Sequence, residues 1–210
     1  MTSGRQYVLA AGGTGGHMVP AAALAAELMR RGHKVALISD ERGVRFPDLF
    51  DGIETHVVPA SRFAGGPIGW LKALNTMAKG RSQARKLYRQ LRPAAVVAFG
   101  GYASMPALSA AFAAKVPTVI HEQNAVLGRV NRLVAGKVGA IATSYAEVAR
   151  LKPAYASKTH LTGNPVREAV LELRLRPYPP LEEDGIFRVL VTGGSQGASV
   201  LSQVVPDGLA

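Results

Sequence analysis

Twice in this chain a short apolar run ends in a glycine-rich turn that opens a helix-forming stretch. The first copy is Tyr7-Val8-Leu9-Ala10-Ala11-Gly12-Gly13-Thr14-Gly15-Gly16-His17, the second Val189-Leu190-Val191-Thr192-Gly193-Gly194-Ser195-Gln196-Gly197. Glycines let a backbone turn with its N–H groups pointing outward, and the following helix adds the positive end of its dipole, so such a loop suits a phosphate. Two of them predict two nucleotide-binding-type α/β domains. Apolar runs at 7–10, 34–39, 55–58, 94–99, 118–121, 140–143 and 158–161 alternate with helical stretches, the pattern of βαβ units and a parallel sheet. The alanine- and leucine-rich stretch 19–31 predicts the first helix, with Gly32 placed to end it.

At 210 residues the chain is expected to hold one complete domain, 1–163, a hinge and connector, 164–186, and the opening strand, loop and helix of a second domain, 187–210. With no cysteine there is no disulfide framework and no thiolate metal site. The N-terminus lacks the pattern of a secretory signal, so the protein is expected in the cytosol. The uncharged stretch 93–114 is long enough to suggest a membrane span. Gly100, Gly101 and Pro106 divide it instead into a buried strand, a turn and a helix opening at Pro106.

The formal net charge of +11 is concentrated between Glu54 and Glu122, where no acidic residue occurs and the basic residues run from Arg62 to Lys115. Within that segment Ile68, Trp70, Leu71, Leu74 and Met77 are spaced for an apolar helical face, with Lys72 and Lys79 beside it. A helix lying on an anionic bilayer has this composition, and so does a domain helix with a core face and a solvated basic face. Nucleic acid is not expected as a partner, because the basic run carries no recognisable binding motif.

The first loop has methionine where the dinucleotide fingerprint has its third glycine, and it lacks the lysine of a P-loop. Asp40, ending the second strand, mimics the ribose-binding acid of an NAD site, which keeps an NAD-dependent enzyme as a minor alternative. His17 follows the glycine loop, where an imidazole can contact a phosphate or accept a proton from a sugar hydroxyl, or serve structure alone. The second loop matches a G-x-S-x-G elbow, but no histidine follows Ser195 to complete a triad, so Ser195 reads as a phosphate or ribose contact. His121-Glu122-Gln123-Asn124 starts like a zinc motif without its second histidine. It remains a polar cluster at a strand end, for a ligand or for a buried hydrogen-bond network. Gly163-Asn164-Pro165-Val166-Arg167 suits a hinge, with Arg167 in reach of a phosphate.

GGTGGH at 12–17, GGYAS at 100–104, HEQN at 121–124, GNPVR at 163–167 and GGSQGA at 193–198 occur in the order and approximate spacing of the MurG family, which the chain resembles over essentially its whole length. The resemblance implies a GT-B fold of two Rossmann-like domains. It implies inverting transfer of GlcNAc from UDP-GlcNAc to undecaprenyl-pyrophosphoryl-MurNAc-pentapeptide (lipid I), giving lipid II, with no cofactor and no bound catalytic metal. The work is expected at the cytoplasmic face of the membrane, with the protein peripheral on an anionic surface. By the same resemblance Thr14, Gly15 and Gly16 lie at the donor sugar and His17 is base or acceptor-diphosphate contact. Asn124 contacts the donor GlcNAc, Arg167 and Ser195 its diphosphate, and Tyr102 and Ser104 line the acceptor side. Ile68 to Lys79 become the membrane-docking face. The family continues with most of a donor-binding domain beyond this sequence, so the 210 residues alone are expected to transfer sugar weakly or not at all; a non-catalytic membrane-surface module is the alternative.

Overall fold

The computed structural model describes residues 4–43, 47–62, 64–177, 189–193 and 198–209. The chain divides into two compact units, Met1–Leu171 and Glu172–Ala210. In the first unit all seven predicted strands form: β1 (Gln6–Ala10), β2 (Lys34–Ser39), β3 (Glu54–Val57), β4 (Ala95–Ala98), β5 (Thr118–Glu122), β6 (Ala140–Thr143) and β7 (Thr159–Leu161). They make one sheet of order β3-β2-β1-β4-β5-β6-β7, parallel at every pairing. The order reverses between β1 and β4. There the chain leaving β1 and the chain leaving β4 go on to opposite faces of the sheet, the position at which open α/β sheets bind ligands.

Both faces of the sheet are covered, and side-chain alternation sorts the strand residues between two cores. Val8, Ala10, Ala36, Ile38, Val96 and Ala98 enter one cluster, whereas Leu9, Ala11, Val35 and Leu37 enter the other. The second cluster is closed by α1 (Gly15–Arg30), through Met18, Ala21, Ala22 and Ala25. The first is closed by α2 (Gly66–Leu91), α3 (Ser104–Ala114) and α4 (Arg129–Val134). Fully burying aliphatic side chains at about 1.5–3 kcal/mol each makes these two layers the main source of stability. α2 packs on α3, with Gly80 against Pro106 and the Tyr88 hydroxyl donating to the Ala107 carbonyl at 3.0 Å, and Ala73 and Ala84 are buried on the same helix. Burial pushes the Tyr88 phenol up, keeping it neutral as a donor.

Three boundaries differ from the sequence reading. α1 begins at Gly15, four residues before the predicted start, because glycine costs little in a first turn whose N–H groups have no intrahelical partner. His17 is therefore a helical residue, with its N–H on the Thr14 carbonyl at 3.1 Å. α3 begins at Ser104 and Pro106 sits within its first turn, where a missing N–H is tolerated. In the second unit α6 (Ser199–Leu209) forms after a short helix α5 (Glu168–Leu171) has closed the first unit, but Val189 to Gly193 lie in no strand. A strand exists only where a neighbour completes its ladder, and Val189 and Leu190 are exposed instead.

Candidate functional site

Four loops at the carboxyl ends of β1, β4, β5 and β7 carry the predicted catalytic, donor-side and acceptor-side residues of the first unit. The β1 loop is pinned by crowding at Gly12: a Cβ there would collide with Ala103 Cβ and lie 2.7 Å from Asp40 Oδ1. This glycine lets the β1 and β4 loops touch. Gly101 has φ +73, a left-handed conformation that disfavours any side chain, and the His17 ring packs where its Cβ would point, Cδ2 at 3.5 Å. His17 thus sits at the reversal point of the sheet, half-buried, on the first turn of α1.

A row of side-chain hydrogen bonds crosses the strand ends from there. His17 Nδ1 is 3.2 Å from Gln123 Oε1, Gln123 Nε2 is 3.0 Å from His121 Nδ1, and His121 Nε2 is 3.0 Å from the Gly163 carbonyl oxygen. His121 is buried against Phe99, ring centroids 5.5 Å apart, and burial holds its pKa below the ordinary histidine value. Beside it Glu122, also buried, accepts from the Asn124 backbone and side chain, both 3.1 Å, from Gly128 N–H at 2.8 Å and from Asn131 Nδ2 at 2.9 Å. The HEQN cluster is a hydrogen-bond network, as one of the two sequence readings has it. Glu122 is an organiser that turns the β5 loop; Asn124 is held by it and left exposed.

Thr14 occupies the N-cap position of α1 without spending its side chain on a capping bond, and both it and Gly16 are exposed. Gly15 is half-buried beside them. Tyr102 is partly exposed, whereas Ser104 is fully buried and its hydroxyl closes the turn on the Gly101 carbonyl at 2.9 Å. Arg167 is exposed at the end of the segment that follows β7, beside a cavity of about 580 Å³ between that segment and α1. Ser195 lies outside the described residues. Asp40 is committed to its own turn: Oδ2 accepts from Arg42 at 2.7 Å and Oδ1 from Gly43 N–H at 3.1 Å. That removes the acidic residue the NAD alternative would use for a ribose. Among the described residues no group of three His, Cys, Asp or Glu side chains could hold a metal ion.

On α2 the apolar face predicted from the sequence is not the core face. Ala73, Gly80, Ala84 and Tyr88 are buried, while Ile68 is 73% exposed, Trp70 55%, Leu71 70% and Leu74 55%. Met77 is half-buried, and Lys72 and Lys79 are exposed alongside. α2 thus has a core face, but of small residues, while the apolar side chains of its first turns are mostly exposed and Leu74 and Met77 border a recess beside Met105 and Pro106 of α3. Among the described residues no helix is long and apolar enough to cross a membrane.

Sequence reasoning missed Gln123 and Asn131 as members of the site. Gln123 stood in a motif already singled out, but its bridging role depends on His17, distant in sequence. Asn131 carried no signal, because α4 alone brings it under the end of β5.

Residues 7–143 match the glycosyltransferase family 28 N-terminal domain. Two relatives described as UDP-N-acetylglucosamine–N-acetylmuramyl-(pentapeptide) pyrophosphoryl-undecaprenol N-acetylglucosamine transferase align over nearly the whole chain. The Zymomonas mobilis protein is 63% identical, over 100% of this chain and 54% of its own length. The Erythrobacter litoralis protein is 62% identical, over 98% and 52%. The crystal structure of Acinetobacter baumannii MurG superposes with a TM-score of 0.71 at 26% identity, covering 98% of this chain and 55% of that one. The chain thus spans about half the length of the curated relatives it matches. The Rossmann-like parallel sheet is that of the N-terminal half of a GT-B glycosyltransferase. With the fold, the strand-end loops and the aligned length in agreement, the chain belongs to glycosyltransferase family 28.

Proposed function

We propose that this protein works in transfer of GlcNAc from UDP-GlcNAc to the 4-hydroxyl of undecaprenyl-linked lipid I, forming lipid II. The observation that carries the reading is 63% identity, over the whole chain, to a relative described as that transferase. In this reaction the acceptor oxygen bonds to the anomeric carbon, its proton passes to a base, and the bond to the UDP diphosphate breaks with the electron pair leaving on phosphate. His17 is the base, placed at the sheet's reversal point where ligands of open α/β sheets bind. Outward N–H groups at Gly15 and Gly16, with the α1 dipole, stabilise negative charge, and the exposed Thr14 hydroxyl adds a donor. Asn124, Arg167 and Ser195 serve the donor's sugar and diphosphate. Tyr102 faces the acceptor, and buried Ser104 acts by shaping that loop.

The first unit, in this reading, is the acceptor- and membrane-binding domain. Exposed Ile68, Trp70, Leu71 and Leu74 with Lys72 and Lys79 dock α2 peripherally on the anionic cytoplasmic leaflet, where lipid I resides. The 210 residues alone bind acceptor and transfer weakly or not at all. Saturation-transfer NMR on the purified chain, with a soluble short-chain lipid I analogue and with UDP-GlcNAc and NAD as competitors, tests this. Acceptor contact is expected; a folded chain that ignores the acceptor and holds NAD overturns it.

A further inference from the structure

The row from His17 to Gly163 has only one consistent set of proton positions. Its far end is a backbone carbonyl, which only accepts, so His121 carries its proton on Nε2. A buried, neutral His121 then has a bare Nδ1, which must accept. The donor facing it is Gln123 Nε2, and that same nitrogen donates to the His121 carbonyl at 3.1 Å. Two acceptors on one side fix the carboxamide, so its oxygen faces His17. A carboxamide oxygen only accepts, hence His17 donates from Nδ1 and, in the neutral ring, Nε2 is left with its lone pair.

We propose that Gln123 and His121 are positioning residues that lock His17 as the Nδ1–H tautomer, anchored on the Gly163 carbonyl, so that Nε2 is the atom that takes the acceptor hydroxyl's proton. In the other tautomer Nε2 would present a hydrogen to that hydroxyl and could remove nothing. After transfer the imidazolium still donates from Nδ1 to Gln123, so the row holds in both protonation states and nothing need rearrange during the step. The catalytic meaning rests on the transferase reading; the tautomer itself does not.

The test reads the tautomer without substrate. Long-range proton–nitrogen correlation spectra of the ¹⁵N-labelled 210-residue chain, above the histidine titration range, should show His17 protonated at Nδ1 and bare at Nε2, and His121 the reverse. Gln123→Met should shift His17 toward the Nε2–H form. Gln123→Glu, which keeps an oxygen facing His17, should preserve its Nδ1–H form while His121 loses its donor. His17 protonated at Nε2 in the unsubstituted chain, or unmoved in a folded Gln123→Met variant, overturns the proposal. Should Gln123→Met not fold, the unsubstituted and Gln123→Glu spectra decide. Loss of acceptor binding with the tautomers as expected would strike the transferase reading alone.

Discussion

Glu122 Oε2 accepts a 2.9 Å hydrogen bond from Asn131 Nδ2, and both side chains are almost wholly buried. The carboxylate ending β5 thereby ties α4 to the strand and, through Asn124 and Gly128, sets the loop between them. Replacing it leaves several donors without their acceptor, Asn131 Nδ2 among them buried. Glu122→Gln, which turns an amide N–H toward them, should cost about 1–3 kcal/mol, and Glu122→Ala roughly 3 kcal/mol or more. Urea denaturation checks this; near-neutral values would mean that water replaces the carboxylate.

The buried imidazole of His121 makes stability depend on pH in one direction. Its pKa is lowered in the folded chain, first by desolvation, so below the ordinary value of 6.5 the unfolded chain binds more protons. Its contribution is present above that value and is lost as pH falls toward and through the lowered folded pKa. Denaturation midpoints from neutral to mildly acidic pH should fall more steeply for the unsubstituted chain than for His121→Gln. Parallel curves would refute the assignment.

At Gly12 the close approach of the β1 and β4 loops leaves no room for a methyl group, with Asp40 Oδ1 at 2.7 Å from where it would sit. Gly12→Ala should cost about 1–3 kcal/mol through overpacking. Thermal unfolding gives the measure, and a variant as stable as the parent would show that the loops separate freely.

The apolar stripe on the first turns of α2 can be removed without touching the core. Because Ile68 and Leu71 are mostly exposed, Ile68→Ser with Leu71→Ser should leave the unfolding midpoint nearly unchanged. Each buried aliphatic side chain contributes about 1.5–3 kcal/mol, so vesicle binding should weaken by about tenfold or more. Sedimentation with phosphatidylglycerol-containing and neutral vesicles separates outcomes. Equal binding by parent and variant would remove α2 as the docking face.

For His17 the readout is turnover. A chimera joining this chain to the C-terminal portion of the Zymomonas mobilis relative should transfer GlcNAc, and His17→Ala within it should lower turnover by about 10²–10⁴. Unchanged rates would take His17 out of the mechanism.

The seven strands and their parallel pairing were legible because buried strands in βαβ units are continuous apolar runs separated by helix lengths. The first glycine loop was legible because glycine tolerates the left-handed turn at Gly13, φ +87, and the close approach at Gly12. Less visible was the start of α1, since glycine and helix formation conflict by propensity, yet a first turn forgives the conflict. The apolar face of α2 was visible as a pattern, but which stripe is buried was not: Ala73, Gly80 and Ala84 are the buried residues, small side chains that hydrophobic spacing does not mark. Val189 to Gly193 shows the limit from the other side, an apolar run that pairs with no strand among the described residues.

By itself the sequence determined the alternating α/β order, the glycine-rich turn after the first strand, the concentration of positive charge and the motif set that marks the family, all encoded by residues close together in the chain. Only the tertiary structure decided which side chains act together. His17, the pair His121 and Gln123, and Gly163 come from three separate segments, and they meet because the parallel sheet brings the carboxyl ends of its strands to one edge. Hydrogen-bond direction along that row follows from distances and from which atoms can only accept, and neither is written in any local stretch of chain.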